Sequence, residues 1–174
     1  MPFDRLIKAV DGWAAHHPSE EILAQIGPGA WQPTNIKWVQ FMAPAEFRRN
    51  VEKAKVVVSH AGMGTVLTAL ELAKPLLLLP RRGHLMETRN DHQVDTAHQL
   101  ANAGRATIAM DEKELVAALD NLDQLPPPKR IGSYASPELL ETIRRFVTQG
   151  QMPPLNSANK ECGKLVEFPC GSNG

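Results

Sequence analysis

The 174-residue sequence predicts an α/β domain, a Rossmann-like parallel sheet with helices on both faces. Three observations predict it. Two apolar runs, Val56-Val57-Val58 and Leu76-Leu77-Leu78-Leu79, contain no polar residue, as expected of strands buried on both faces. Helix-period stretches alternate with such runs over short connections, the pattern of β-α units rather than hairpins. A glycine-containing turn, His60 to Gly64, joins the first run to the helix behind it.

Phe3, Leu6, Ile7, Val10 and Trp13 recur on one helical face and predict a helix over residues 3–16. His16-His17-Pro18-Ser19 breaks it. Glu21 to Ile26 predicts a short strand, closed by the Gly27-Pro28-Gly29 loop, and Ile36 to Phe41 a second, rich in β-branched and aromatic residues. Pro44 opens a helix with the apolar stripe Phe47, Val51 and Ala54. After the valine run and the turn, a helix is expected from Thr65 to Ala73, stopped by Pro75.

The leucine run follows, then a polar loop from Arg81 to Asn90. Asp91 stands where it can cap a helix with Val94, Ala97 and Leu100 inward. Ala106 to Ala109 reads as a strand, and Asp111 with Glu114 as a capping-box start for a helix through Leu119. Pro126-Pro127-Pro128 is a stiff linker, and Ser136-Pro137-Glu138 begins a last helix carrying Leu139, Leu140, Ile143, Phe146 and Val147. Residues 1–149 read as one domain. Residues 150–174, rich in Pro, Asn, Ser and Gly, read as a disordered tail.

Composition narrows the function. Lys+Arg and Asp+Glu both number 19, so no charge excess draws the chain to nucleic acid or an anionic membrane. The longest apolar run is far too short to cross a bilayer, and Asp4, Arg5, Lys8 and Asp11 interrupt any signal-peptide reading. A cytoplasmic location is expected. Cys162 and Cys170 lie in the tail with no neighbouring ligand set for a metal, and a reducing compartment disfavours a disulfide between them. Trp13, Trp31 and Trp38 read as packing residues.

Chemistry concentrates between Val56 and Gln93. A buried strand running into His60-Ala61-Gly62-Met63-Gly64-Thr65 and a helix aims backbone N–H groups and the positive helix end at one spot. A diphosphate suits such a turn. No Lys follows Gly64, so it is not a Walker loop, and Leu67 stands where G-x-G-x-x-G needs its third glycine. Alone, the turn is equally well read as glycines serving geometry. The next strand ends at Arg81-Arg82, and Asn90-Asp91-His92-Gln93 opens the following helix. In an open parallel sheet both segments meet at the carboxyl edge, where amide and carboxylate groups suit sugar hydroxyls. Arg81 and Arg82 read as partners for diphosphate charge or as a solvated loop, and His60 as a ligand contact or a satisfied histidine. His84, Glu87, Asp91 and His92 have the spacing of no common metal site.

These residues carry a resemblance. His60-Ala61-Gly62-Met63-Gly64-Thr65, with Glu71, Lys74-Pro75 and Asn90-Asp91-His92-Gln93, resembles the C-terminal domain of glycosyltransferase family 28. The stand-alone PssE-like and Alg13-like subunits of split GT-B enzymes are the nearest in pattern, through Pro2-Phe3-Asp4-Arg5-Leu6-Ile7 and Ser133-Tyr134-Ala135-Ser136. The resemblance spans residues 2–150. It implies the nucleotide-sugar-binding half of a two-component inverting hexosyltransferase of exopolysaccharide biosynthesis, with no cofactor and no divalent ion. The acceptor site for a lipid-linked saccharide, the catalytic base and membrane attachment would then belong to a PssD-like or Alg14-like subunit, holding this chain at the inner face of the membrane.

By position, Gly62 to Thr65 would hold the diphosphate of a UDP-sugar, Asn90, Asp91, His92 and Gln93 the sugar, and the backbone from Phe41 to Pro44 would lie near the base. Two departures stand out. Thr68 occupies the place of a ribose-gripping glutamate, with Glu71 one turn further on. Family members also carry an apolar strand and a Gly-Thr loop before the Pro-Phe-Asp segment, whereas this sequence starts at Met1-Pro2. A non-catalytic accessory nucleotide-binding subunit, and a dinucleotide-binding fragment, are the competing readings.

Overall fold

A computed structural model describes residues 3–128, 131 and 137–149. The first helix, α1 (Asp4–Ala14), buries Leu6, Ile7, Val10, Trp13 and Ala14, the face its periodicity predicts. Strands β1 (Leu23–Gln25) and β2 (Lys37–Val39) pair in parallel, Leu23 opposite Lys37. Helix α2 (Pro44–Lys53) opens on its proline and buries Val51. Then come β3 (Val57–Ser59), α3 (Met63–Glu71), β4 (Leu76–Leu78), α4 (His92–Asn102), β5 (Thr107–Ile108) and α5 (Glu112–Leu119). The chain divides into two compact units, and the second, from residue 134, contains α6 (Pro137–Gln149), whose Leu139, Leu140, Ile143, Phe146 and Val147 are exposed.

Leucine after leucine from Leu76 to Leu79, through β4 and just past it, has a simple reason. Leu77 and Leu79 pack with Leu6, Val10 and Trp13 of α1 and Leu115 and Leu119 of α5. Leu76 and Leu78 turn to the opposite face, against Val51, Val66, Leu70 and Ala97. All four are at most 2% exposed. Each contributes roughly 1.5–3 kcal/mol of apolar burial, so β4 anchors both layers.

The structure departs from the sequence reading in four places. Among the described residues the parallel strands form two groups, β1-β2 and β3-β4-β5, rather than one continuous sheet, and β3 pairs on one side only. Both groups contribute to the same apolar cluster over α1 and α5, so packing rather than a hydrogen-bonded ladder joins them. Helix α3 starts at Met63, two residues before the expected Thr65, because Gly62 is extended and its carbonyl accepts from Val66 N at 3.1 Å. Asp91 precedes α4 but does not cap it. At α5, Asp111 does cap, accepting from Glu114 N at 2.8 Å, while the Glu114 carboxylate reaches Met110 N at 2.7 Å instead of the capping residue's own amide. The sequence-predicted tail, residues 150–174, lies outside the described residues.

Candidate functional site

Beyond Ser59 the chain turns within three residues, Gly62 N donating to His60 O at 2.7 Å. A β-carbon at Gly62 would stand 2.3 Å from His60 Cε1, so the imidazole fills the space a side chain would need. That glycine is required by its neighbour. Gly64 is different: a β-carbon there meets nothing within 4 Å. Its backbone is ordinary first-turn helix, outside the positive-φ residues of the chain. Neither backbone conformation nor protein packing demands a glycine at 64, and the space in front of it is open.

The amides of Met63, Gly64 and Thr65 head α3 without partners among the described residues, as in any uncapped first turn. They carry the positive end of the helix dipole toward that space. Thr68 Oγ1 donates back to Gly64 O at 2.9 Å, and Glu71 pairs with Arg48 at 3.0 Å across the α2–α3 contact.

The second segment, between β4 and α4, is folded by its own backbone. Three consecutive amides are each taken by a side chain from later in the segment. Arg81 N donates to Gln93 Oε1 at 3.3 Å, Arg82 N to Glu87 Oε2 at 3.0 Å, and Gly83 N to Asp91 Oδ1 at 2.7 Å. Asp91 therefore organises the loop, and this explains why it does not cap α4. Gln93 is buried, and its side chain lies close enough to His60 to raise the imidazole pKa, so the two site segments face one another. Asn90 Oδ1 pairs with His92 Nδ1, both residues exposed.

Burial, reinforced by the Arg81 charge and opposed by the nearby Gln93 side chain, holds the His60 imidazole below its ordinary pKa. It is neutral at pH 7, with Nδ1 buried and unpartnered among the described residues. Burial likewise lowers Arg81, and its guanidinium lies 5.2 Å from the Phe3 ring centre. Arg82 turns away to the carbonyl of Met110 beyond β5, which separates it from the role its neighbour was given. Met42 N is taken by Gln25 Oε1 at 3.0 Å, so within the Phe41–Pro44 stretch this amide is already engaged.

Sequence reasoning missed three residues. Arg5 grips Glu87 through Nε at 2.7 Å and through its terminal nitrogen at 3.0 Å, and the latter also reaches Pro80 O at 2.9 Å. Phe3 meets the His60 ring edge-on, centroids 6.3 Å apart. The only local signal was the Pro-Phe-Asp-Arg opening, far from its partners in the chain. Two surface cavities, lined by Ser19, Glu21, Asn35 and Lys37 and by Lys8, Trp13, His17 and Asp120, include none of these residues. Among the described residues no three His, Cys, Asp or Glu converge on a metal-sized site. Glu87 faces Arg5 and Asp91 faces Gly83 N.

Residues 2–131 match the model of the glycosyltransferase family 28 C-terminal domain. The chain belongs to this family. The family 28 domain is 31% identical over 121 residues to the UDP-N-acetylglucosamine transferase subunit ALG13 of Eremothecium gossypii, covering 66% of this chain and 56% of that protein. It is 22% identical over 143 residues to the UDP-N-acetylglucosamine--N-acetylmuramyl-(pentapeptide) pyrophosphoryl-undecaprenol N-acetylglucosamine transferase of Prochlorococcus marinus, covering 78% of this chain and 38% of that protein. The human subunit ALG13 is 31% identical over 88 residues, 48% of this chain and 7% of that protein. The chain thus spans from a small fraction to just over half of these relatives. A solved glycotransferase of kitacinnamycin superposes with a TM-score of 0.53 at 24% identity, covering 70% of this chain and 31% of that one. The fold is accordingly that of a GT-B C-terminal half, with the family 28 motif residues on the carboxyl edge of β3 and β4.

Proposed function

We propose that this domain binds the donor of a two-component inverting glycosyltransferase, a UDP-sugar, and that a second, membrane-associated subunit of the PssD-like or Alg14-like kind completes the enzyme. The observation that carries the reading is Gly64: a glycine that neither backbone nor packing requires, in an uncapped first turn open to the outside. A diphosphate approaching there would meet the Met63, Gly64 and Thr65 amides without a side chain in the way. His60 and Ala61 shape the turn, and Arg81 adds charge on the neighbouring strand end. Gln93, Asp91, Asn90 and His92 stand where the sugar hydroxyls would project.

The chemistry assigned to this chain is electrostatic. As the glycosidic bond to the sugar breaks, negative charge grows on the departing UDP, and preorganised amides stabilise it without rearranging. The acceptor is proposed to be a lipid-linked saccharide in polysaccharide biosynthesis. The partner would supply both the base that deprotonates its hydroxyl and the attachment to the inner face of the membrane, leaving this chain cytoplasmic. The names of the relatives support a UDP-linked donor and make UDP-N-acetylglucosamine the first to test.

Calorimetric titration with UDP, UDP-N-acetylglucosamine and NADP tests the reading. Binding of UDP and the UDP-sugar with none of NADP is expected. NADP binding in preference to UDP would return the chain to the dinucleotide class. UDP binding without turnover in the reconstituted pair would make it an accessory subunit.

A further inference from the structure

The loop between β4 and α4 holds a part-buried ion pair that makes no hydrogen bond to the groups placed around the donor. Glu87 and Arg5 side chains are 11% and 12% exposed, while the loop's His84, Leu85 and Met86 lie in solvent. A carboxylate that far from water is costly unless every acceptor site is used. Glu87 uses both oxygens, taking two bonds from Arg5 and one from Arg82 N. Arg5 spends its remaining donors on Pro80 O, just past β4, and on Glu112 Oε2, 3.4 Å away at the start of α5. The Phe3 ring lies 5.3 Å from the Arg5 guanidinium and 5.2 Å from that of Arg81. One fork thus fastens α1, the end of β4, the loop and α5 at a single point.

We propose that Arg5 and Glu87 are positioning residues for the donor sugar. Glu87 is the middle member of three side chains caught on the consecutive amides of Arg81, Arg82 and Gly83, the outer two being Gln93 and Asp91. Fixing the middle member from α1 fixes the register of the other two, and with Gln93 the side chain that faces His60. The inference rests on the donor reading above and adds to it the element that sets sugar recognition, a helix 82 residues upstream. Bidentate geometry is what makes arginine necessary, since an ammonium cannot hold both carboxylate oxygens and Pro80 O in one plane.

The test uses the whole chain with Arg5→Met and, because that variant loses packing as well as charge, the nearly isosteric Glu87→Gln. UDP affinity should stay within about twofold of the parent, while UDP-N-acetylglucosamine affinity falls about tenfold or more. Native-state hydrogen exchange at Arg81, Arg82 and Gly83 should accelerate about tenfold relative to Leu78 in β4. Combining both substitutions should cost no more than the worse single one. Equal losses for UDP and the UDP-sugar would reduce the pair to a structural role, and unaltered exchange of the three amides would overturn the clamp itself. A parent chain that binds UDP but no UDP-sugar overturns the donor reading and with it the ligand half of this inference, and the exchange data then judge the clamp alone.

Discussion

Gly62 and Gly64 look interchangeable in the string His-Ala-Gly-Met-Gly-Thr, yet they answer to different neighbours. Gly64→Ala places a methyl group in open space on a helical backbone, so the fold should gain about 0.5–1 kcal/mol from the lost unfolded-state freedom. If a diphosphate sits against that turn, UDP affinity should at the same time fall at least about tenfold, roughly 1.4 kcal/mol. Thermal melts and UDP titration of the variant read the two signs separately, and unchanged UDP binding would remove the diphosphate from this turn. Gly62→Ala drives its β-carbon into the His60 ring, and should cost about 1–3 kcal/mol of stability as the ring is expelled from Gln93 and Phe3. In a His60→Ala background most of that cost should vanish. A double-mutant cycle by chemical denaturation measures the difference, and additive losses would mean that something other than the imidazole forces the glycine.

At the scale of an element, the β4–α4 loop is a titratable structure. Burial by itself would raise the Glu87 carboxyl, but Arg5, Arg82 N and the Arg81 charge outweigh it and hold the pKa below the ordinary 4.5. A carboxyl whose folded pKa is depressed binds its proton more readily when unfolded. Its stabilisation is therefore complete above about pH 4.5 and is lost as pH falls through the lower, folded value. The parent chain should lose more stability between about pH 5 and pH 3 than Glu87→Gln does, as denaturant midpoints across that range would show. Identical acid profiles would mean that the carboxylate is not held in its charged form by the fold. The same loop shows why Asp91, placed like a helix cap in the sequence, is not one: the amide of Gly83 reaches it first, at 2.7 Å.

For the molecule as a whole, the two-component proposal makes the carboxyl edge of β3 and β4 one wall of a reaction site. The site residues come from the carboxyl edge of β3 and β4, where the half-buried His60 is neutral. On the two-component reading proposed above, the purified chain is expected to show little or no transfer on its own, and turnover with UDP-N-acetylglucosamine and a lipid-linked acceptor only when the membrane-associated subunit is added. Product formation assayed with and without that subunit checks this, and full turnover by the chain alone would end the two-component reading. The rate gained on reconstitution should be lost with Gly64→Ala if the donor half lies here.

The sequence by itself determined what short-range rules govern. Helix faces follow from apolar spacing in α1, the doubly buried strand from the leucine run of β4, the start of α5 from Asp111 and Glu114, and family membership from motifs lying within a few residues of one another. Tertiary structure alone decided which polar groups meet. Arg5 and Glu87 are 82 residues apart, Gln93 takes the amide of Arg81 across the loop, and Gly62 owes its identity to an imidazole folded back upon it. It also decided that the parallel strands form two groups over one apolar cluster. Periodicity reports which face of an element is buried, because burial repeats with each turn or pleat. A hydrogen bond between distant side chains has no period, since its partners are chosen only when the elements close upon one another.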